Sequence, residues 1–320
     1  MTNSKVLRRF DWQPVASLPG EKGAILRLAQ AGAGRCFAAT QHGLWASRHD
    51  GLTWAPVAGP WKDALVSDVA SSPAPERDRT LLVGTAVGLL RTDDGGNSWT
   101  TGAGQRPLGG VTAICLSPTF SQDGLAFIGT AEDGVLRSED GGRTWAAWNF
   151  GLLDLNVLSL AIVPDFGHDE TLLAGTDSGL FRSTNGGRAW REVTLDEDVT
   201  PVVSLAFSPK VSPGGHAYAF AGTDGGGLFG SWDGGKSWEP ANTWAGSTCI
   251  NSLLCGPGLL VAATNEGVSL SLDDGATWQS EDFPEPILAL GLWSGQLWAG
   301  TTTTGLWRAQ IELARSAHGR

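Results

Sequence analysis

The residues best equipped for chemistry in this 320-residue chain come in octets. "SEDGGRTW", Ser138 to Trp145, gathers two carboxylates, two hydroxyls, two glycines and an indole. Those are the ingredients of a calcium loop or a carboxylate-based substrate site. The octet recurs as "SRHDGLTW" from Ser47, "TDDGGNSW" from Thr92, "STNGGRAW" from Ser183, "SWDGGKSW" from Ser231 and "SLDDGATW" from Ser271. A calcium loop needs a longer series of oxygen ligands and a bidentate acid farther on, which none of the six copies supplies. A hairpin turn needs less. Glycines accept positive φ, a short Asp or Asn acceptor binds the turn's own N–H groups, and a Ser or Thr adds a local hydroxyl. We therefore assign Asp94, Asp140, Asn185, Asp233 and Asp273 to turns, with no metal and no cofactor. Trp54, Trp99, Trp145, Trp190, Trp238 and Trp278 are read as apolar plates between sheets.

The elements that carry these turns form a repeat. Before each octet stands a second pattern, fullest as "GTDSGLFRS" from Gly175, and a last copy, "GTTTTGLWRA" from Gly300, has no octet after it. Its aliphatic residue, at Leu44, Leu89, Val135, Leu180, Leu228, Val268 and Leu306, recurs at spacings of 45, 46, 45, 48, 40 and 38 residues. Each unit reads as four short strands without helices, which is a propeller blade rather than a solenoid. The fold class is therefore all-β: one seven-bladed β-propeller of four-stranded antiparallel blades over residues 1–320. Approximate blade limits are 24–60, 63–104, 111–150, 157–195, 202–242, 250–282 and 287–311. Unit seven lacks a fourth strand, and "DWQPVASLP" from Asp11 matches "TWAPVAGP" from Thr53. Residues 10–20 are thus expected to complete the last blade, with Trp12 as its octet-type tryptophan and the exposed edge strands hidden.

The octets resemble the Asp box of the BNR, sialidase-like propellers, a superfamily that also holds xyloglucanases, the sortilin ectodomain and photosystem II assembly factors. In architecture the assembly factors are the nearest resemblance. The resemblance covers nearly the whole chain and implies boxes at peripheral turns, away from the ligand face. His49 and Asn185 depart from its acidic position. It also implies what a sialidase would need: a Tyr nucleophile with a partnering Glu, an Asp and three arginines. The single tyrosine, Tyr218, lies inside a strand pattern, so that chemistry is not expected.

Composition narrows the function further. A net charge of −11 argues against nucleic acid and anionic membranes as partners and favours a basic or neutral one. No run of 18 apolar residues and no signal-peptide core occurs, so the chain is expected to be cytoplasmic without membrane insertion. The four cysteines show no zinc spacing and are expected as unpaired thiols. The five histidines fall in separate units without a triad or HExxH pattern.

What remains is the face made by loops before the first strands and between the second and third. It carries Glu132, Asp133, Asp154, Asp177, Asp196, Glu197, Asp198, Asp224 and Glu266, with Trp148, Phe150, Trp244 and Phe283 as aromatic anchors. The reading is a non-enzymatic protein- or peptide-binding or assembly module with an acidic loop face. The alternative is a glycoside hydrolase or carbohydrate-binding protein built on a pair of carboxylates. In the innermost strands, Arg27 and Asp68 stand at one depth where other units have Ala or Ser. They are read as an ion pair beside the channel, or else as a channel-mouth site in which Arg27 binds an anion.

Overall fold

The computed structural model describes residues 10–15, 23–61, 64–102, 108–195, 201–241 and 249–311. They form seven four-stranded antiparallel sheets arranged as the blades of a propeller. The innermost strands are Ile25–Gln30, Val66–Ser71, Val111–Leu116, Val157–Ile162, Val202–Val211, Ile250–Gly256 and Ile287–Trp293. Among the described residues the one helix is a single turn, Phe120–Asp123.

The last blade closes as the spacing predicts. Its sheet takes Gln13–Pro14 as the outer strand, with Gln13 opposite Arg308 and Pro14 opposite Trp307. Phe10 is 5% exposed, and its N–H donates to Glu281 Oε2 at 3.0 Å. Trp12 sits edge-on to Phe283 with ring centroids 5.5 Å apart. Residues 16–20 of the expected closing strand lie outside the described residues.

The second strand of each blade is buried along nearly its whole length, as expected for a strand covered on both faces. Here the repeated Gly-Thr acquires a reason. A Cβ on Gly129 would meet Val157 Cγ1 at 2.6 Å, and one on Gly84 would meet Val111 Cγ1 at 2.8 Å. The glycine lets the next blade's inner β-branched residue close onto the sheet. The threonine closes the turn that follows. Thr40, Thr85, Thr130, Thr176, Thr223, Thr264 and Thr301 each donate their hydroxyl to a carbonyl of the loop leading to the third strand, at 2.8 to 3.2 Å.

Neighbouring blades are stitched at two depths. Near the channel, Ser67, Thr112, Ser159, Ser204 and Asn251 donate to the carbonyls of Val111, Val157, Val202, Ile250 and Ile287 in the following blade. Farther out, third-strand arginines reach the next octet: Arg91 Nε to Gly141 O at 2.7 Å, Arg137 Nη1 to Gly186 O at 3.0 Å, and Arg182 Nε to Gly234 O at 2.7 Å. The arginine of the repeated pattern is therefore a clamp between blades.

Candidate functional site

Each blade runs down its inner strand, back up the second and down the third, so the chain's loops divide between two faces. The octets lie on one. The loops entering the inner strands and those after the Gly-Thr lie on the other.

On the octet face every carboxylate of the turn series is satisfied from within its own turn. Asp140 Oδ1 accepts from Ser138 Oγ, Arg143 N and Thr144 N, each at 2.9 Å, and Oδ2 accepts from Thr144 Oγ1 at 2.6 Å. Asp94, Asp233 and Asp273 repeat the arrangement with donors from Ser98, Ser237 and Thr277. Asn185 keeps its Oδ1 bonds to Ser183 Oγ at 3.0 Å and Ala189 N at 2.9 Å. Burial works against the charged forms of Asp140 and Asp233, but these donors outweigh it and hold both carboxyls at about 2. The tryptophans lean on the same turns: Trp54, Trp145, Trp238 and Trp278 donate to Gly51, Gly142, Gly235 and Gly275. Trp99 and Trp190 instead donate to the preceding blade, at Ala58 O and Trp148 O.

On the opposite face the acids divide by what holds them. Asp133 Oδ2 accepts from Gly109 N at 3.1 Å, joining the two loops of its blade. Asp154 does the same with Asn156 N and Ser178 N, both at 2.9 Å, and Asp177 accepts from the Asn156 amide. Asp224 lies near the Cys249 thiol, which donates to Asn251 Oδ1 at 3.1 Å. Glu285, not singled out by its sequence context, accepts from the hydroxyls of Thr302, Thr303 and Thr304. Burial opposes ionisation of Glu285, yet the threonine donors hold it at about 2, and Asp154 is held down in the same way. Glu132 and Glu266 are exposed, and their carboxylates join no hydrogen bond or ion pair among the described residues.

The aromatic anchors divide too. Trp148 is stacked under two guanidiniums, Arg137 at 4.4 Å and Arg188 at 5.4 Å from its ring centre, which ties it to the seam between blades three and four. Phe283 is 8% exposed and packs on Trp12 and Trp307. Trp244, with Asp196, Glu197 and Asp198, lies outside the described residues. Phe150 stands out, at 80% exposed, with Leu153 at 78% and Leu155 at 41% on the same segment. That segment is pinned at both ends. Trp190 N donates to Phe150 O at 2.8 Å, Gly134 N donates to Leu155 O at 3.0 Å, and the Asn149 side chain bridges Val135 N and Asp133 O.

In the channel wall Arg27 Nε lies 3.2 Å from Asp68 Oδ1. Asp68 is 4% exposed and also accepts from Val69 N and Ile114 N, each at 2.7 Å. Burial pushes the Asp68 carboxyl up, and Arg27 and the two amides offset only part of that rise. The space in front of the pair, lined by inner-strand residues of all seven blades and including Ser159 and Ser204 at the equivalent positions, is about 160 Å³. All four cysteines are unpaired, and burial raises the thiols of Cys36, Cys115 and Cys255 to about 12 and of Cys249 to about 11. Among the described residues no helix is long and apolar enough to cross a membrane.

Seven four-stranded blades, the last closed by Gln13–Pro14 pairing with Leu306–Gln310, define the class: the chain is a seven-bladed β-propeller. Residues 110–252 match the family described as the photosynthesis system II assembly factor YCF48. No curated protein matches the chain. Among solved structures, the extracellular domain of the hybrid two component system BT4673 from B. thetaiotaomicron superposes with a TM-score of 0.76 at 16% identity, covering 96% of this chain and 40% of that one. YCF48 bound to D1 peptide gives 0.72 at 18%, covering 97% and 100%. The GH74 xyloglucanase from Xanthomonas campestris gives 0.74 at 16%, covering 95% of this chain and 54% of the enzyme. At these identities the likeness shows the fold alone.

Proposed function

We propose that the chain is a non-catalytic peptide- or protein-binding module, and that its occupant is a basic segment carrying an apolar residue. The observation that carries this reading is the pinned display of Phe150, Leu153 and Leu155 beside the acids of blades three and four. Apolar side chains exposed on a mobile loop mean little. Held by backbone bonds at both ends, they form a ready surface whose ordering entropy has already been lost on folding. Glu132 is free to meet a cation there, and the chain's net charge of −11 attracts one from a distance. A similar propeller solved with a peptide bound supports an occupant of this size.

A carboxylate-pair glycosidase is the other reading, and the xyloglucanase neighbour gives it standing. That chemistry needs one acid kept protonated near neutral pH. On the loop face Asp154 and Glu285 are shifted the opposite way by their donors, and the carboxyl that burial pushes up, Asp68, is in the channel wall facing Arg27. The geometry favours binding.

Fluorescence anisotropy with synthetic peptides in which Lys or Arg flank a Leu or Phe tests the proposal. Binding should weaken with salt, and Phe150→Ser with Leu153→Ser should weaken it by about tenfold or more without loss of folding, the scale expected for anchor residues. Equal binding by the double variant, or binding indifferent to salt, would refute it.

A further inference from the structure

The seam between blades one and two inverts the charge found at the corresponding seams. At four seams among the described residues an arginine reaches the next octet, and in blades two and three the residue after the octet's hydroxyl pairs with it. Arg91 pairs with Asp93 at 2.7 Å, and Arg137 pairs with Glu139 at 2.8 Å. Arg182 lies in the field of Asp169 and Asp233. In blade one the third-strand position holds Ala46, and the arginine that donates to Gly95 O in the octet of blade two is Arg35, just before the second strand Cys36–Thr40. The position equivalent to Asp93 and Glu139 is Arg48, and the octet's own acid is replaced by His49.

Among the described residues Arg35, Arg48 and Arg79 form no ion pair, although the chain is acidic overall. Arg35 Nε is buried without a hydrogen-bond partner. Asp94, the carboxylate whose field reaches Arg35, already accepts from Thr92, Asn97 and Ser98. Glu76 and Arg79 stand on the far side of Arg35, around a separate hollow. In front of Arg35, Arg48 and His49 opens a cavity of about 660 Å³, floored by Trp54, Pro56 and Val57. His49 Nδ1 is bonded to Thr53 Oγ1 at 2.8 Å, which leaves Nε2 as its remaining polar atom.

We propose that this cavity on the octet face binds a small organic oxyanion, a phosphate or carboxylate head on an apolar or aromatic body. The head meets Arg35, Arg48 and His49, and the body rests on Trp54, Pro56 and Val57. Guanidiniums without carboxylate partners are the groups suited to such a head, since they offer paired N–H donors and fixed charge. A cavity of this volume accommodates a single small molecule. The site is on the face opposite the loops assigned to peptide binding, so neither proposal depends on the other.

Ligand-observed ¹⁹F NMR with 4-fluorophenyl phosphate and 4-fluorobenzoate tests it on the full chain. Wild type should broaden the signal of at least one probe, and the stronger of the two names the head group. Inorganic phosphate should compete where the phosphate probe binds. Arg48→Glu, which restores the acid seen in blades two and three, should weaken binding by at least about tenfold, the scale of a lost charge-assisted contact replaced by repulsion. Its melting temperature should equal or exceed that of wild type, because a like charge beside Arg35 is removed, so loss of binding is separable from loss of folding. Arg48→Ala should fall between the two. Absence of broadening by both probes with wild type at low salt, or undiminished binding by Arg48→Glu, would overturn the assignment.

Discussion

Replacing Asp140 by alanine removes four accepted hydrogen bonds at one turn: those from Ser138 Oγ, Arg143 N, Thr144 N and Thr144 Oγ1. The turn is largely open to water, so its donors can be rehydrated and the loss is far below four times the worth of a buried bond. A net loss of ~2 kcal/mol is expected, in the range for charge-assisted bonds in partial contact with solvent. For 320 residues the entropy of unfolding makes that a fall of ~3 °C in melting temperature. Asp140→Asn should lose less, ~1 kcal/mol, because Asn185 shows that an amide oxygen keeps two of the three Oδ1 bonds. The pH dependence follows from the direction of the shift. The folded carboxyl is held at about 2, below its ordinary value of 3.8, so its contribution is fully present above that ordinary value and disappears as pH falls toward about 2. Urea unfolding at pH 7 and pH 3 should therefore show the wild-type advantage over Asp140→Ala shrinking at the lower pH. Equal stability of the two at pH 7 would refute the turn account. So would calcium raising the melting temperature of wild type but not of the variant, since that requires a ligand role for the carboxylate.

Removing residues 1–15 takes away the outer strand of blade seven along with buried Phe10 and half-buried Trp12, and should cost ~3–5 kcal/mol and promote association through the bared edge; an unchanged melting temperature and a monomer by light scattering would contradict the closure. Arg27→Met should leave Asp68 buried without its counter-charge and destabilise the fold by ~1–2 kcal/mol at pH 7, less than for a fully buried pair because Arg27 is half exposed. Because burial raises the Asp68 carboxyl, acidification toward pH 4 protonates it and should narrow that difference. Stabilisation of wild type, but not of Arg27→Met, by an added anion would make Arg27 a ligand site instead.

The parts of the fold legible in the sequence are those determined within about ten residues. The octet contains both its donors and its acceptors, so the turn at Asp140 can be read without knowing what lies nearby. The blade count follows from its recurrence, and closure by Gln13–Pro14 follows from the likeness of the segments after Trp12 and Trp54. What the sequence could not reveal depends on residues about 25 to 50 positions away. Gly129 is glycine because of Val157, and Arg137 recurs in the pattern because of Gly186. For the same reason the acids of the loop face looked equivalent. Asp154, Asp177 and Asp133 are fastened by Ser178, Asn156 and Gly109, whereas Glu132 has no such partner among the described residues. Trp148 read as an anchor, and its two arginine neighbours, one a blade-clamp residue and the other in the next octet, were visible only after folding.

In a repeat of this kind the sister blades act as internal controls on one another. A residue type that returns in every blade, such as the threonine whose hydroxyl closes its loop in all seven, is accounted for by the ring itself. A departure that the ring tolerates needs another explanation, because the neighbouring blades show what folding alone would accept. Arg48 is such a departure. Asp93 and Glu139 show that an acid at this position forms an ion pair with the clamp arginine, whereas Arg48 places two guanidiniums together without one. Phe150, Leu153 and Leu155 are another, since apolar groups directed to water contribute nothing to a seam already closed by Trp190 and Leu152. Both departures weaken or leave unimproved the isolated fold. The anion proposed on one face and the basic apolar segment proposed on the other would supply the missing stabilisation.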